Sequence, residues 1–68
     1  MVKLTPREYD VLIRLHMTTK EIADDLGVSI PTINTMYQVL AKKFNAKSRT
    51  GIVLNALRYG VIELGAFF

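Results

Sequence analysis

From Leu4 onward, apolar residues recur at helical spacing in four blocks, and each block is opened by a small hydroxyl residue. Thr5 precedes Pro6, and Glu8 follows three residues after Thr5. This is a capping box: the hydroxyl accepts from the Glu8 amide and the carboxylate reaches back to the Thr5 amide. Pro6 falls at N1, where a missing N–H does no harm. Tyr9, Leu12, Ile13 and His16 keep the period and predict a first helix over residues 6–16. Thr18 and Glu21 repeat the box. Ile22, Ala23 and Leu26 then share one face, Asp24 and Asp25 the other, and Gly27 offers the left-handed stop. Ser29 caps a third helix with Pro31 still in its first turn. Ile33, Tyr37, Leu40 and Phe44 form its apolar stripe, and it ends near Phe44. Beyond Asn45, Ala46 and Lys47, Ser48 opens a fourth helix over residues 49–59. Ile52, Val53, Ala56 and Leu57 are its buried face and Gly60 its end. No segment alternates as a strand would. The expectation is an all-α four-helix bundle in one domain, residues 1–68, with a core over 4–62 and an apolar tail over 63–68.

Helices 2 and 3 are separated only by Gly27, Val28 and Ser29. So short a link forces a steep crossing, as in a helix-turn-helix. Ala23 is small where the next helix must approach, and Gly27 permits the turn. Ile22, Leu26, Val28, Ile33 and Met36 or Tyr37 are apolar where the corner needs a core. The spacing Ala-x3-Gly-x5-Ile-x2-Met thus places one small, one turning and two apolar residues where this geometry requires them. The plainer alternative is an αα-corner with a structural role alone.

Composition narrows the function classes. At 68 residues, a chain buries only about 60% of its unfolded surface, so its core has little stability in reserve. The absence of cysteine excludes a disulfide framework and a thiolate zinc site. No apolar run approaches the roughly 20 residues that span a bilayer. No signal-peptide pattern is visible before the first capped helix, so the expected location is cytoplasmic. The net charge of +3 permits a polyanionic partner without demanding one. His16 is the only histidine and sits where a helix dipole favours a cation. It has no cysteine or serine partner at a recognisable spacing, and no glycine-rich phosphate loop is present. Asp24, Asp25, Glu8 and Asp10 read as solvated or capping carboxylates. The chain is therefore expected to be no enzyme, with no catalytic residue, cofactor or metal.

The stretches LTPREYDVL, TTKEIADDLGVS, TINT and KSRTGIVLNALRYGVI resemble the LuxR/GerE-type DNA-binding domain, over about Leu4 to Ile62. The first two would also suit region 4 of a bacterial sigma factor. The last, a basic loop followed by a fourth helix ending Leu-Arg-x-Gly, favours the LuxR type. The resemblance implies a bacterial-type transcriptional regulator that binds double-stranded DNA with its third helix in the major groove. It also implies a dimer contact from the fourth helix. The family's domain usually sits behind a receiver or ligand-binding domain. With its own Met1 and no room for a sensor, this chain resembles the short stand-alone, GerE-like members, or else an excised domain. It departs from the family pattern in several places. The link at His16, Met17 and Thr18 is shorter than usual. Pro31 stands where a charge is common, Met36 replaces a frequent histidine, and Asn34 and Gln38 stand where lysine or another polar reader is frequent.

In such an interface phosphate contacts set register and base contacts set specificity. No lysine or arginine occurs between Glu21 and Ala41, but basic residues bracket that stretch. Lys20, Lys42, Lys43, Lys47 and Arg49 are the candidate phosphate contacts, with Thr18, Thr19 and Thr50 at helix N-termini. For the threonines the alternative is capping alone; for the lysines it is a solvated surface. The candidate base readers are Thr32, Asn34, Thr35 and Gln38. Asn and Gln pair bidentately with adenine, and a threonine methyl touches that of thymine. Half-sites leaning to A and T follow as the expectation. Tyr37 is expected in the core rather than at the DNA.

A homodimer is expected through helix 4 or the C-terminal tail. Leu54, Phe67 and Phe68 are its candidate residues, and Val39 is a further apolar residue on an exposed face. The alternative for the tail is that it folds back over the core. A competing function is a protein-interaction module: a partner or inhibitor of another LuxR-type regulator or of RNA polymerase, using the same fold without reading DNA.

Overall fold

In the computed structural model, which describes residues 2–63 and residue 65, every helix starts at a side-chain oxygen. α1 spans Pro6–Leu12, α2 Thr19–Leu26, α3 Ile30–Lys43 and α4 Arg49–Arg58. Among the described residues there is no strand. Both capping boxes are formed. The Glu8 amide donates to Thr5 Oγ1 at 3.1 Å and the Thr5 amide to Glu8 Oε1 at 2.9 Å. Thr18 and Glu21 repeat the pair at 3.2 and 2.9 Å. Ser29 accepts from the Thr32 amide at 3.3 Å and Ser48 from the Gly51 amide at 3.1 Å. These bonds occupy amides that a helix start leaves without partners.

The helix ends share one device. Gly27 takes a left-handed φ of 69°, and the Val28 amide reaches back five residues to the Ala23 carbonyl at 3.0 Å. Gly60, with φ 73°, does the same through Val61 and Ala56 at 2.9 Å. Space does not demand glycine at either place, since a Cβ would meet nothing within 4 Å; the backbone angle does. Asn45 ends α3 in the same conformation, φ 50°, with Ala46 donating to Ala41 at 2.9 Å. Each is a Schellman-type closure.

α3 packs against each of the other three helices and is the axis of the fold. Ile33, Leu40 and Phe44 on its inner face are fully buried, with Val11, Leu12, Ile22 and Ala56 around them. Tyr59 stacks on Phe44, ring centroids 6.2 Å apart. Asn55 Nδ2 donates to the Phe44 carbonyl at 2.7 Å and so ties the end of α3 to α4. Ile62 closes the core from beyond α4 and Val61 packs against it. Phe67 and Phe68 lie outside the described residues. Val39 is half-buried, while Leu54 is 55% exposed.

The first helix departs from its expected length, stopping at Leu12 rather than His16. The chain continues in tighter turns, with Arg14 donating to Val11 at 3.0 Å, Leu15 to Leu12 at 3.3 Å and Met17 to Arg14 at 2.9 Å. This tightening keeps Leu15 in the core while bringing Thr18 round to cap α2. Arg14 reinforces it, donating to the Asp10 carbonyl at 2.8 Å and to Asp25 of α2 at 2.6 Å.

Candidate nucleic-acid interface

The two faces of α3 follow from the sequence period. The inner one carries the core stripe. On the outer one Pro31, Asn34, Thr35, Gln38 and Lys42 are exposed and fall along a single ridge. The three-residue turn from Gly27 to Ser29 sets this ridge at the protein surface beside α2. Arg7 reinforces that turn by donating to the Leu26 carbonyl at 3.4 Å, a cation at the C-terminus of α2.

Of the four candidate base readers, Asn34, Thr35 and Gln38 are brought together in the open and Thr32 is half-buried. Thr32 Oγ1 shares a hydrogen bond with Ser29 Oγ at 2.8 Å, and Thr35 Oγ1 donates to the Pro31 carbonyl at 3.1 Å. The Thr35 proton is therefore engaged within the helix, which leaves its oxygen lone pairs and methyl to face outward. Among the described residues the amides of Asn34 and Gln38 make no side-chain hydrogen bond; each keeps two donors and an acceptor for an external partner.

The candidate phosphate residues divide into two groups. Lys20, Lys42, Lys47 and Thr50 are exposed, and none of these lysines is in an ion pair among the described residues. Thr18 is exposed but caps α2. The others are tied inward. Lys43 donates to the Lys3 carbonyl at 2.8 Å and to Glu8 Oε1 at 2.6 Å, bracing α3 against the start of α1. Thr19 Oγ1 accepts from Arg49 at 3.1 Å, which leaves its own proton available. Arg49 is half-buried and points into the protein. Tyr37, expected in the core, is half-buried, with its hydroxyl bonded to Arg49.

Electrostatically the surface is one-sided. Five of the six acidic residues, Glu8, Asp10, Glu21, Asp24 and Asp25, belong to α1 and α2 and the sixth, Glu63, follows α4, whereas α3 and α4 themselves carry none. The hydrogen bond from Lys43, followed by that from the Thr5 amide, holds the Glu8 carboxyl below its usual range. The Thr18 amide does the same to Glu21. A cleft of about 280 Å³ between α3 and the start of α4 is lined by Tyr37, Gln38, Ala41, Lys47, Ser48, Arg49 and Ile52. A base-reading candidate and a phosphate-gripping candidate thus border one depression.

Sequence reasoning missed the roles of Arg7, Arg14 and Asn55. The i, i+4 spacing of Asp10 and Arg14 was a local signal. The partners of Arg7 and Asn55 lie 19 and 11 residues away and left no local trace. Among the described residues no group of three or more potential metal ligands is gathered, and no helix is long and apolar enough to cross a membrane.

A three-residue turn between α2 and α3, with amides and lysines on the open side of α3, is the architecture of a helix-turn-helix protein. Comparison with known proteins agrees. Residues 2–56 match the family described as bacterial regulatory proteins, luxR family. The chain is 38% identical over 62 residues to the transcriptional regulatory protein MctR of Rhizobium johnstonii (strain DSM 114642 / LMG 32736 / 3841), covering 88% of this chain and 29% of MctR. It is 38% identical over 63 residues to the spore germination protein GerE of Bacillus subtilis (strain 168), covering 90% of this chain and 85% of GerE. The chain thus spans less than a third of MctR and most of GerE. No solved structure matches it significantly. The chain belongs to the luxR family of bacterial regulatory proteins, and its helix-turn-helix is that of a DNA-binding transcriptional regulator.

Proposed function

We propose that this chain binds double-stranded DNA sequence-specifically, with α3 in the major groove, and regulates transcription without catalysing a reaction. The observation that carries this is the α3 ridge: Asn34 and Gln38 are exposed, without partners among the described residues, on a helix free of acidic residues. The major groove admits an α-helix, and each bidentate pair of Asn or Gln with adenine discriminates by about 1–3 kcal/mol. Lys20, Lys42 and Lys47 supply the sequence-independent grip. Thr18, Thr19 and Thr50 add donors at helix N-termini. A single domain with so few phosphate contacts binds weakly, in the range of about 10⁻⁴–10⁻⁶ M for non-specific DNA. A homodimer reading half-sites about 10 bp apart would raise this greatly. Exposed Leu54 on α4 supplies the apolar surface for it, with Phe67 and Phe68 as the further candidates. We place the protein in the cytoplasm, where its DNA is.

The test is a backbone NMR titration with mixed-sequence duplex DNA at two salt concentrations. Salt-sensitive shifts at Thr19, Lys20, Asn34, Gln38 and Lys42 are expected. Absence of shifts at low salt sinks direct DNA binding. The exposure of Leu54 also suits a second role, pairing with another LuxR-type regulator or with RNA polymerase. Replacing Asn34 and Gln38 by alanine separates the two: lost sequence preference belongs to DNA readout, whereas lost partner binding with unchanged DNA behaviour belongs to the interaction module.

A further inference from the structure

Arg49 stands apart from the other cations around α3. One terminal nitrogen donates to the Met17 carbonyl at 2.6 Å and, more loosely, to that of Leu15 at 3.5 Å. The other donates to Thr19 Oγ1 at 3.1 Å and to the Tyr37 hydroxyl. The guanidinium also lies over the Tyr37 ring, its carbon 4.7 Å from the centroid. Four elements meet at this one group: the turns after α1, the first residue of α2, the middle of α3 and the first residue of α4. Among the described residues neither carbonyl accepts a backbone N–H outside the helices, α1 having ended at Leu12. A planar fork of donors suits several fixed acceptors at once, which the point charge of a lysine does not.

Tyr37 precedes Gln38 and lies three residues, nearly one turn, beyond Asn34. Holding the Tyr37 ring by both face and hydroxyl therefore fixes the roll of α3, and with it the direction of both amides. We propose that Arg49 is a positioning residue for DNA readout. It acts through Tyr37 on the orientation of α3, and it does not neutralise a phosphate. This rests on the DNA-reading role given to α3 above.

The two roles separate in measurement. A phosphate contact changes the dependence of affinity on salt, by about 0.9 in the logarithmic slope per contact. A positioning contact changes discrimination and leaves that slope alone. The experiment compares the wild-type chain with R49K, the uncharged R49Q, Y37F and the double variant R49K/Y37F. Each is assayed well below its melting temperature. The probes are a duplex selected by the wild type from a random pool and a scrambled duplex of equal length, over a range of salt. R49K should lose about tenfold of the selected-over-scrambled ratio, the worth of one base-reading pair. R49Q, which removes the charge as well, should lose at least as much of the ratio and still match the salt slope of the wild type. Y37F should lose less, and the double variant no more than R49K. A slope reduced by about one in R49Q with the ratio intact overturns the proposal in favour of a phosphate contact. A ratio and slope both unchanged overturn it in favour of stability alone.

Residual dipolar couplings of the free chain add a readout that needs no DNA. The roll of α3 about its axis relative to α1, read from the phase of its N–H couplings, should change in R49K, and an unchanged roll overturns the proposal. If the wild type shows no discrimination between duplexes, DNA readout fails, while the couplings still decide whether Arg49 orients α3.

Discussion

The outer ridge of α3 and the cluster around Arg49 meet at one cleft, which Gln38, Tyr37 and Arg49 all line, and they use similar chemistry: amides, hydroxyls and cations. They differ in where those groups find partners. At Arg49 the donors of both terminal nitrogens meet acceptors of the same chain. On the ridge Asn34 and Gln38 meet none among the described residues. Satisfied polar groups hold a small domain in one arrangement. Unsatisfied ones, kept in solvent where they cost little, are what remains for a ligand. The division also sorts the cations: Lys43 and Arg49 brace the fold, and Lys20, Lys42 and Lys47 face outward.

The sharpest way to break this contrast is to cut beneath the ridge. Ile33→Ala removes a fully buried side chain from the inner face of α3 and should lower stability by about 2–5 kcal/mol. In urea its midpoint should fall steeply; a midpoint equal to wild type would mean the inner face does not hold the helix. The ridge variant N34A/Q38A, by contrast, should unfold within about 0.5 kcal/mol of wild type. Next in size is the turn that sets the ridge in place. Gly27→Ala forces a side chain into a left-handed φ and should cost about 1–2 kcal/mol. Gly27→Asn should cost less, because asparagine tolerates that region, as Asn45 already does here. Equal losses from both would argue for lost space rather than backbone strain. Thr18→Ala, which removes the cap of α2, should cost about 1 kcal/mol, read from thermal melts.

Acid offers a gentler probe of the braced side. Glu8 and Glu21 have folded pKa values below the usual 4.5. Their contribution is therefore full above that value and is lost as the pH falls through the lower folded values. Stability measured in urea should decline below pH 4.5, and less steeply in E8Q than in wild type; identical curves would remove the Lys43 brace from the account. The smallest stability effect belongs to the outward lysines. Lys20→Ala or Lys47→Ala should leave the melting curve in place and lower the logarithmic salt slope of DNA binding by about 0.9 each. An unchanged slope would take that lysine out of the phosphate frame.

What was legible in the sequence was what local chemistry decides. Thr5, Thr18, Ser29 and Ser48 announce helix starts because their oxygens accept from amides three residues away. Gly27 and Gly60 announce ends because few residues take their φ, and the apolar stripe of α3 was read from period alone. The end of α1 was not legible: nothing near Leu12 forbids another turn, and the tightening depends on Leu15 reaching the core and on Arg14 and Arg49 bonding nearby. The same limit applied to the phosphate candidates. Lys42 and Lys43 are neighbours of one charge, and only the fold brings Glu8, 35 residues away, to the second of them. Exposure of the amides at 34 and 38 was readable; the inward turn of Arg49 was not.

That exposure has a further consequence. Because the chain asks nothing of Asn34 and Gln38 for its own architecture, these two sites are open to change by drift or by design. A library randomised there should yield mostly folded members with differing operator preferences. Novelty of recognition in this small scaffold can then arise one substitution at a time, without a compensating change elsewhere in the chain.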